Sequence, residues 1–221
     1  MAARQRRLMT KETNNMNQEK IAALEEIIDN RYSNTAGMIV LKNGETQYEG
    51  YFNGCTAVSC INIFSVTKSI ISILIGIAAD RGEIQSVNQK VLDFFPDFPV
   101  ENYNEGETTI RDITLRDLMT MTAPYKHQEE PYLEYFTRDD WVSTALELLG
   151  GPEKAGKFRY TPFIGPDILS GILVKATGQS VLEFAAEHLF APLGITVKGN
   201  VTLENEEAHY AFMNARDVSG W

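Results

Sequence analysis

The sequence predicts an α+β fold, with an antiparallel sheet flanked by helices and an all-helical subdomain. Three observations predict it. An amphipathic helical pattern leads into two short strand-like runs joined through Asn43-Gly44, a strong hairpin signal. An unusually apolar helical run then starts near Ser65 and stops at Gly82. From Ser86 to Gly194 strand signals are scarce and helical signals recur.

In chain order, residues 1–16 begin basic but have no apolar segment behind them, so they read as a disordered tail rather than a secretory signal. Gln18 to Asp29 places Ile21, Leu24, Ile27 and Ile28 on one stripe, with Glu25, Glu26 and Asp29 outside it. Gly37–Leu41 and Thr46–Phe52 are the strands, turning at Lys42-Asn43-Gly44-Glu45. In the next helix, Ser65 to Arg81, apolar Val66, Ile70, Ile73, Leu74 and Ile77 recur at helical spacing. Leu115–Met121 opens after Thr114, a good N-cap. Asp139–Leu149 ends at Gly150-Gly151, Asp167–Ala176 closes at Gly178, and Val181–Leu189 follows Ser180. Ala123–Phe136 and Gly150–Phe158, punctuated by Pro124, Pro131 and Pro152, read as loops. Residues 17–221 then form one domain: helix, hairpin and Ser65 helix over 17–84, and a helical subdomain over 85–195.

Chemistry concentrates at Ser65-Val66-Thr67-Lys68. Residues three apart share a helical face, so the Lys68 amine can reach the Ser65 hydroxyl. Serine becomes a competent nucleophile when a neighbour takes its proton, and a lysine does so when an apolar wall or a second cation favours its neutral form. The helix N-terminus adds backbone N–H groups where an oxyanion would form. The plain alternative is that Ser65 only caps the helix, and chance alone supplies about half of one S-x-x-K in a chain of this composition. Against that, a lysine one turn into so apolar a helix is costly without a purpose.

The context goes further. Phe64-Ser65-Val66-Thr67-Lys68-Ser69-Ile70, Gly76-Ile77-Ala78, Arg81-Gly82-Glu83-Ile84, Ser86-Val87-Asn88-Gln89-Lys90-Val91 with Phe95-Pro96, Ile113 to Thr122, and Phe158-Arg159-Tyr160 with Gly178 occur in this order. In these motifs the chain resembles the serine β-lactamase and penicillin-binding-protein-like family, in particular its class C and esterase-like branch. The resemblance runs over about residues 35–217. It implies a β-lactamase/transpeptidase-like fold with the active site in a groove between sheet and helical layers. It also implies an acyl-enzyme mechanism with Ser65 as nucleophile, Lys68 as its base and Tyr160 as a proton shuttle. Tyr160 lies after a loop and before a helix, where a side chain can project into a cleft, and the resemblance supplies its role. The pattern is broken two residues later, where Pro162 stands instead of Asn and offers no side-chain amide. The family's third motif, a Lys/His-Thr/Ser-Gly strand, does not follow Tyr160. Residues 196–221 are therefore expected to begin a C-terminal part whose strands are missing, and the exposed sheet edge to invite self-association.

Composition bounds the rest. A net charge of −10 argues against nucleic-acid or anionic-membrane partners and favours a small-molecule substrate. The run Ile70–Ala79 is too short to span a bilayer, so a cytoplasmic location is expected. Cys55 and Cys60 form no CxxC or Cys/His cluster, which argues for free thiols and against a metal. Gly-rich phosphate loops are absent, and no cofactor is expected. No G-x-S-x-G elbow accompanies His127, His188 or His209, which read as surface or capping residues. The expected activity is serine hydrolysis of an amide, ester or β-lactam; the competing class is a catalytically impaired homologue or non-catalytic binding module.

Overall fold

A computed structural model describes residues 18–57, 59, 63–100, 110–127, 129, 131–151 and 153–195. The expectations for the tail at 1–16, for 196–221, and for Cys60 and His209 lie outside these residues. The chain forms two compact units, Met1–Ile61 and Asn62–Trp221.

In the first unit, helix α1 (Gln18–Arg31) buries Ile21 and Ile28. Ile27, placed on the same stripe by its spacing, is 46% exposed. Strands β1 (Gly37–Lys42) and β2 (Glu45–Tyr51) pair antiparallel, with an irregularity between Val40 and Leu41. Asn43 (φ 54°) and Gly44 (φ 80°) both adopt the left-handed conformation that a tight two-residue hairpin turn requires. Buried Tyr48 of β2 donates a 3.2 Å hydrogen bond to Glu25 Oε1 of α1. Asn53 Nδ2 donates to the carbonyls of Ser33 and Thr35, fixing the chain after β2 to the chain after α1.

In the second unit, a 3-10 turn (Phe64–Val66) leads into α2 (Thr67–Asp80). Helices α3 (Leu115–Met119), α4 (Tyr132–Phe136), α5 (Trp141–Leu148), α6 (Ile164–Thr177) and α7 (Val181–Ala185) follow, and α7 runs on into a π-helical turn, Ala186–Phe190. Several starts are set by side-chain caps: Thr114 with Asp117, Asp140 accepting from the Ser143 N–H, and Ser180 with Glu183.

The centre of this unit is α6, buried continuously from Ile164 to Leu173 and packed against α2, α3 and α5. Each fully buried Ile or Leu there contributes about 1.5–3 kcal/mol. α2 meets this core through Ile71, Leu74, Ile75 and Ala78. The stripe read from the sequence is thereby corrected, since Val66 and Ile73 are 59% and 49% exposed. α2 is apolar on more than one face, so spacing alone selects two registers. α4 corrects the expectation of a loop over 123–136. Its five residues are held by aromatic packing, with Tyr135, Phe136, Trp141 and Phe163 in mutual edge and stacked contact. Among the described residues no helix is long and apolar enough to cross a membrane.

Candidate active site

Ser65 does not open α2 as its cap. It lies in the preceding 3-10 turn, and neither the turn nor α2 has a side-chain cap bond at its start. The turn is set by the Val66 N–H donating to the Ile63 carbonyl at 3.0 Å and by Phe64 in the left-handed region at φ 44°. For a non-glycine residue that conformation costs on the order of 1–3 kcal/mol. The consequence is an exposed Ser65 hydroxyl, standing off the helix start instead of being spent on its N–H groups.

Lys68, one turn on, donates from Nζ to Ser65 Oγ at 3.1 Å. It is half-buried rather than enclosed by an apolar wall. One side of it borders a small recess lined by Ile71, Leu118, Met119, Met121, Pro166 and Leu169. Tyr160 arrives from the loop before α6, and its hydroxyl donates to Ser65 Oγ at 2.8 Å. Lys68 Nζ also lies 5.5 Å from the centre of the Tyr160 ring. The structure thus brings together all three candidates, Ser65, Lys68 and Tyr160.

Such an arrangement has a definite chemical capacity. An alcohol within one hydrogen bond of both an amine and a phenol has two groups able to take its proton and to return one to a departing atom. Among the described residues the hydrogen-bond partners of Ser65 Oγ are Lys68 and Tyr160, and neither is a histidine. His188 lies instead against the Phe184 ring, 4.6 Å between centres, and the His127 carbonyl accepts from Arg159. Pro162 is half-buried two residues beyond Tyr160 and brings no polar side chain to this end of the site.

Some contributors were not visible in the sequence. The Arg159 N–H donates to the Met121 carbonyl at 2.8 Å and the Gly156 N–H to the Thr122 carbonyl at 2.9 Å, so residues 121–122 carry the Tyr160 loop. Met121 is itself left-handed at φ 55°. Among the described non-glycine residues with positive φ, Asn43 and Asn53 sit in turns, whereas Phe64 and Met121 flank this site. Asparagine tolerates that region; phenylalanine and methionine adopt it only when their surroundings impose it.

Comparison with known proteins agrees with this architecture. No curated protein matches the chain. Solved structures do. A "putative beta-lactamase" from Bacteroides dorei DSM 17855 superposes with a TM-score of 0.65 at 21% identity, over 88% of this chain and 57% of that one. FmtA from Staphylococcus aureus gives 0.62 at 18% identity, over 84% and 51%. A "putative 6-aminohexanoate-dimer hydrolase" from Bacillus anthracis gives 0.55 at 22%, over 75% and 46%. The chain spans about half the length of these structures, and the likeness shows a shared β-lactamase-like α+β fold. The family model for β-lactamase matches residues 22–220, nearly the whole sequence, and the chain belongs to the β-lactamase family.

Proposed function

We propose that this chain is a serine hydrolase that acts through an acyl-enzyme on an amide, ester or β-lactam. The observation that carries the reading is Ser65 Oγ, held 3.1 Å from the Lys68 amine and 2.8 Å from the Tyr160 hydroxyl. Ser65 attacks the carbonyl carbon while its proton passes to the Lys68 amine. The Ser65 N–H stabilises the oxyanion as one donor of the hole. Tyr160 gives its proton to the leaving group as the bond between that group and the carbonyl carbon breaks; in deacylation it takes a proton from the water that attacks the ester, and Lys68 returns its proton to the departing Ser65 oxygen.

A second reading, a binding module that keeps the fold without efficient turnover, is favoured by Pro162, where the resembled motif has an amide-bearing Asn. One experiment separates the two. The chain is treated with a fluorophosphonate or labelled penicillin and the adduct mapped by peptide mass. Label on Ser65 that is absent from Ser65→Ala, together with turnover of p-nitrophenyl acetate, supports the hydrolase. Label that survives Ser65→Ala refutes the assignment, and label on Ser65 without turnover favours the impaired homologue.

A further inference from the structure

We infer that Arg159 is a positioning residue that holds the Tyr160 hydroxyl on Ser65, with the Tyr125 ring as the surface on which it rests. The inference rests on the proton-shuttle reading of Tyr160. Tyr160 is 50% exposed and belongs to no helix or strand, so its own burial does not fix its hydroxyl 2.8 Å from Ser65 Oγ. What fixes it lies on either side. The Arg159 side chain donates from Nη2 to the His127 carbonyl, and its guanidinium stands 5.4 Å from the centre of the Tyr125 ring. Thr161, 1% exposed, places Oγ1 3.4 Å from the Tyr125 hydroxyl. Tyr125 is itself 3% exposed and bridged to Leu149, with the Lys126 N–H on the Leu148 carbonyl at 3.0 Å.

Residues 159 and 161 both engage Tyr125, while 160 between them meets Ser65. Arginine suits the task because its planar head can donate in its plane and stack on its face together. Lysine cannot do both.

The test is a double-mutant cycle on the full chain, read with phenyl acetate, a poor leaving group, and p-nitrophenyl acetate, a good one. A mispositioned acid should hurt the poor leaving group more. Arg159→Met should lower kcat on phenyl acetate by roughly tenfold to a hundredfold, with a smaller loss on p-nitrophenyl acetate and little change in KM. Arg159→Lys should stay impaired. In a Tyr160→Phe background neither change should cost anything further, because the group being positioned is gone. Tyr125→Phe, which keeps the ring, gives a milder loss and serves if Arg159→Met does not fold. Losses that persist at full size in the Tyr160→Phe background, or equal losses on both esters, overturn the role of Arg159 alone. A Tyr160→Phe chain with full activity overturns the shuttle role of Tyr160 and this inference with it, while the hydrolase reading stands; a parent chain that neither turns over an ester nor labels at Ser65 overturns the hydrolase reading as well.

Discussion

Replacing Gly151 by alanine should strike the support of the site rather than the site itself, and Gly156→Ala is its internal control. Both glycines are left-handed, at φ 141° and 105°, so alanine at either meets backbone strain. They differ in what surrounds them. A Cβ on Gly151 would lie 2.6 Å from the Tyr125 carbonyl oxygen and 2.9 Å from its carbon, both main-chain atoms that cannot swing aside, whereas a Cβ on Gly156 meets nothing within 4 Å. Strain contributes about 1–3 kcal/mol, and a reduced entropy of the unfolded chain returns about 0.4–1 kcal/mol. Gly156→Ala should therefore cost no more than about 2.6 kcal/mol. Gly151→Ala adds the forced displacement of Tyr125, about 1–3 kcal/mol more. For a chain of this size each kcal/mol lowers Tm by about 2–4 °C. Thermal melting and urea unfolding of the two variants measure the difference. The rate of Ser65 labelling, taken below both transitions, should fall further for Gly151→Ala than for Gly156→Ala, since the first displaces Tyr125, on which Arg159 rests, and the second only strains the loop that meets the Thr122 carbonyl. Equal destabilisation by the two alanines would falsify the close approach of residues 125 and 151.

Other expectations follow from single contacts. Tyr160→Phe keeps the ring beside Lys68 and removes the hydroxyl, so ester turnover should fall by about two to four orders of magnitude, with Tm scarcely moved because the side chain is 50% exposed; unchanged hydrolysis would make Tyr160 a packing residue. Tyr135, 2% exposed, donates at 2.5 Å to the 1% exposed Asp167 on α6. Tyr135→Phe leaves that carboxyl short of a donor and should cost about 1.5–3 kcal/mol, and an unaltered urea midpoint would show the pair to be unimportant. On the hairpin, Ile39 and Leu41 of β1 are 57% and 62% exposed. If this strand draws copies together, light scattering should show mass rising with concentration and Leu41→Lys should suppress the rise; a monomer at every concentration ends that idea.

Elements with strong local signals were legible in the sequence, and those made by tertiary packing were not. The hairpin followed from Asn43-Gly44, α3 and α7 from the caps Thr114 and Ser180, and α5 from an apolar run that stops at Gly150-Gly151. α4 escaped because five residues carry too little local preference to declare a helix; the ring of Trp141 just beyond it and that of Phe163, distant in sequence, decide its state. α6 begins at Ile164, before the Asp167 suggested by pattern, because Pro166 sits harmlessly in its first turn. The pairing of Ser65 with Lys68 was readable from helical spacing alone. Tyr160 lies 95 residues away from Ser65, and no periodicity links the two; only the likeness to a family suggested their meeting. Arg159 and Tyr125 were not legible, because a cation resting on a ring between two loops leaves no pattern along the chain.

The strain at this site has a location that bears on how it is built. Left-handed Phe64 starts a 3-10 turn that runs directly into α2, with Val66 and Thr67 both helical, and no side chain caps the first N–H groups of either. The Ser65 hydroxyl, not spent as a cap, meets Lys68 and Tyr160. On the facing segment, left-handed Met121 turns its carbonyl to the Arg159 N–H and so delivers the loop that carries Tyr160. Each distortion is unfavourable by about 1–3 kcal/mol when taken alone. Both are attached to rigid parts, since Phe64 leads into α2, anchored by Leu74 and Ile75 at 0% exposure, and Met121 follows α3, anchored by Leu115 at 0%. Burial of these side chains against α6 outweighs the local strain. The same core that stabilises the helical unit therefore holds a serine, an amine and a phenol in contact that none of their own segments would maintain.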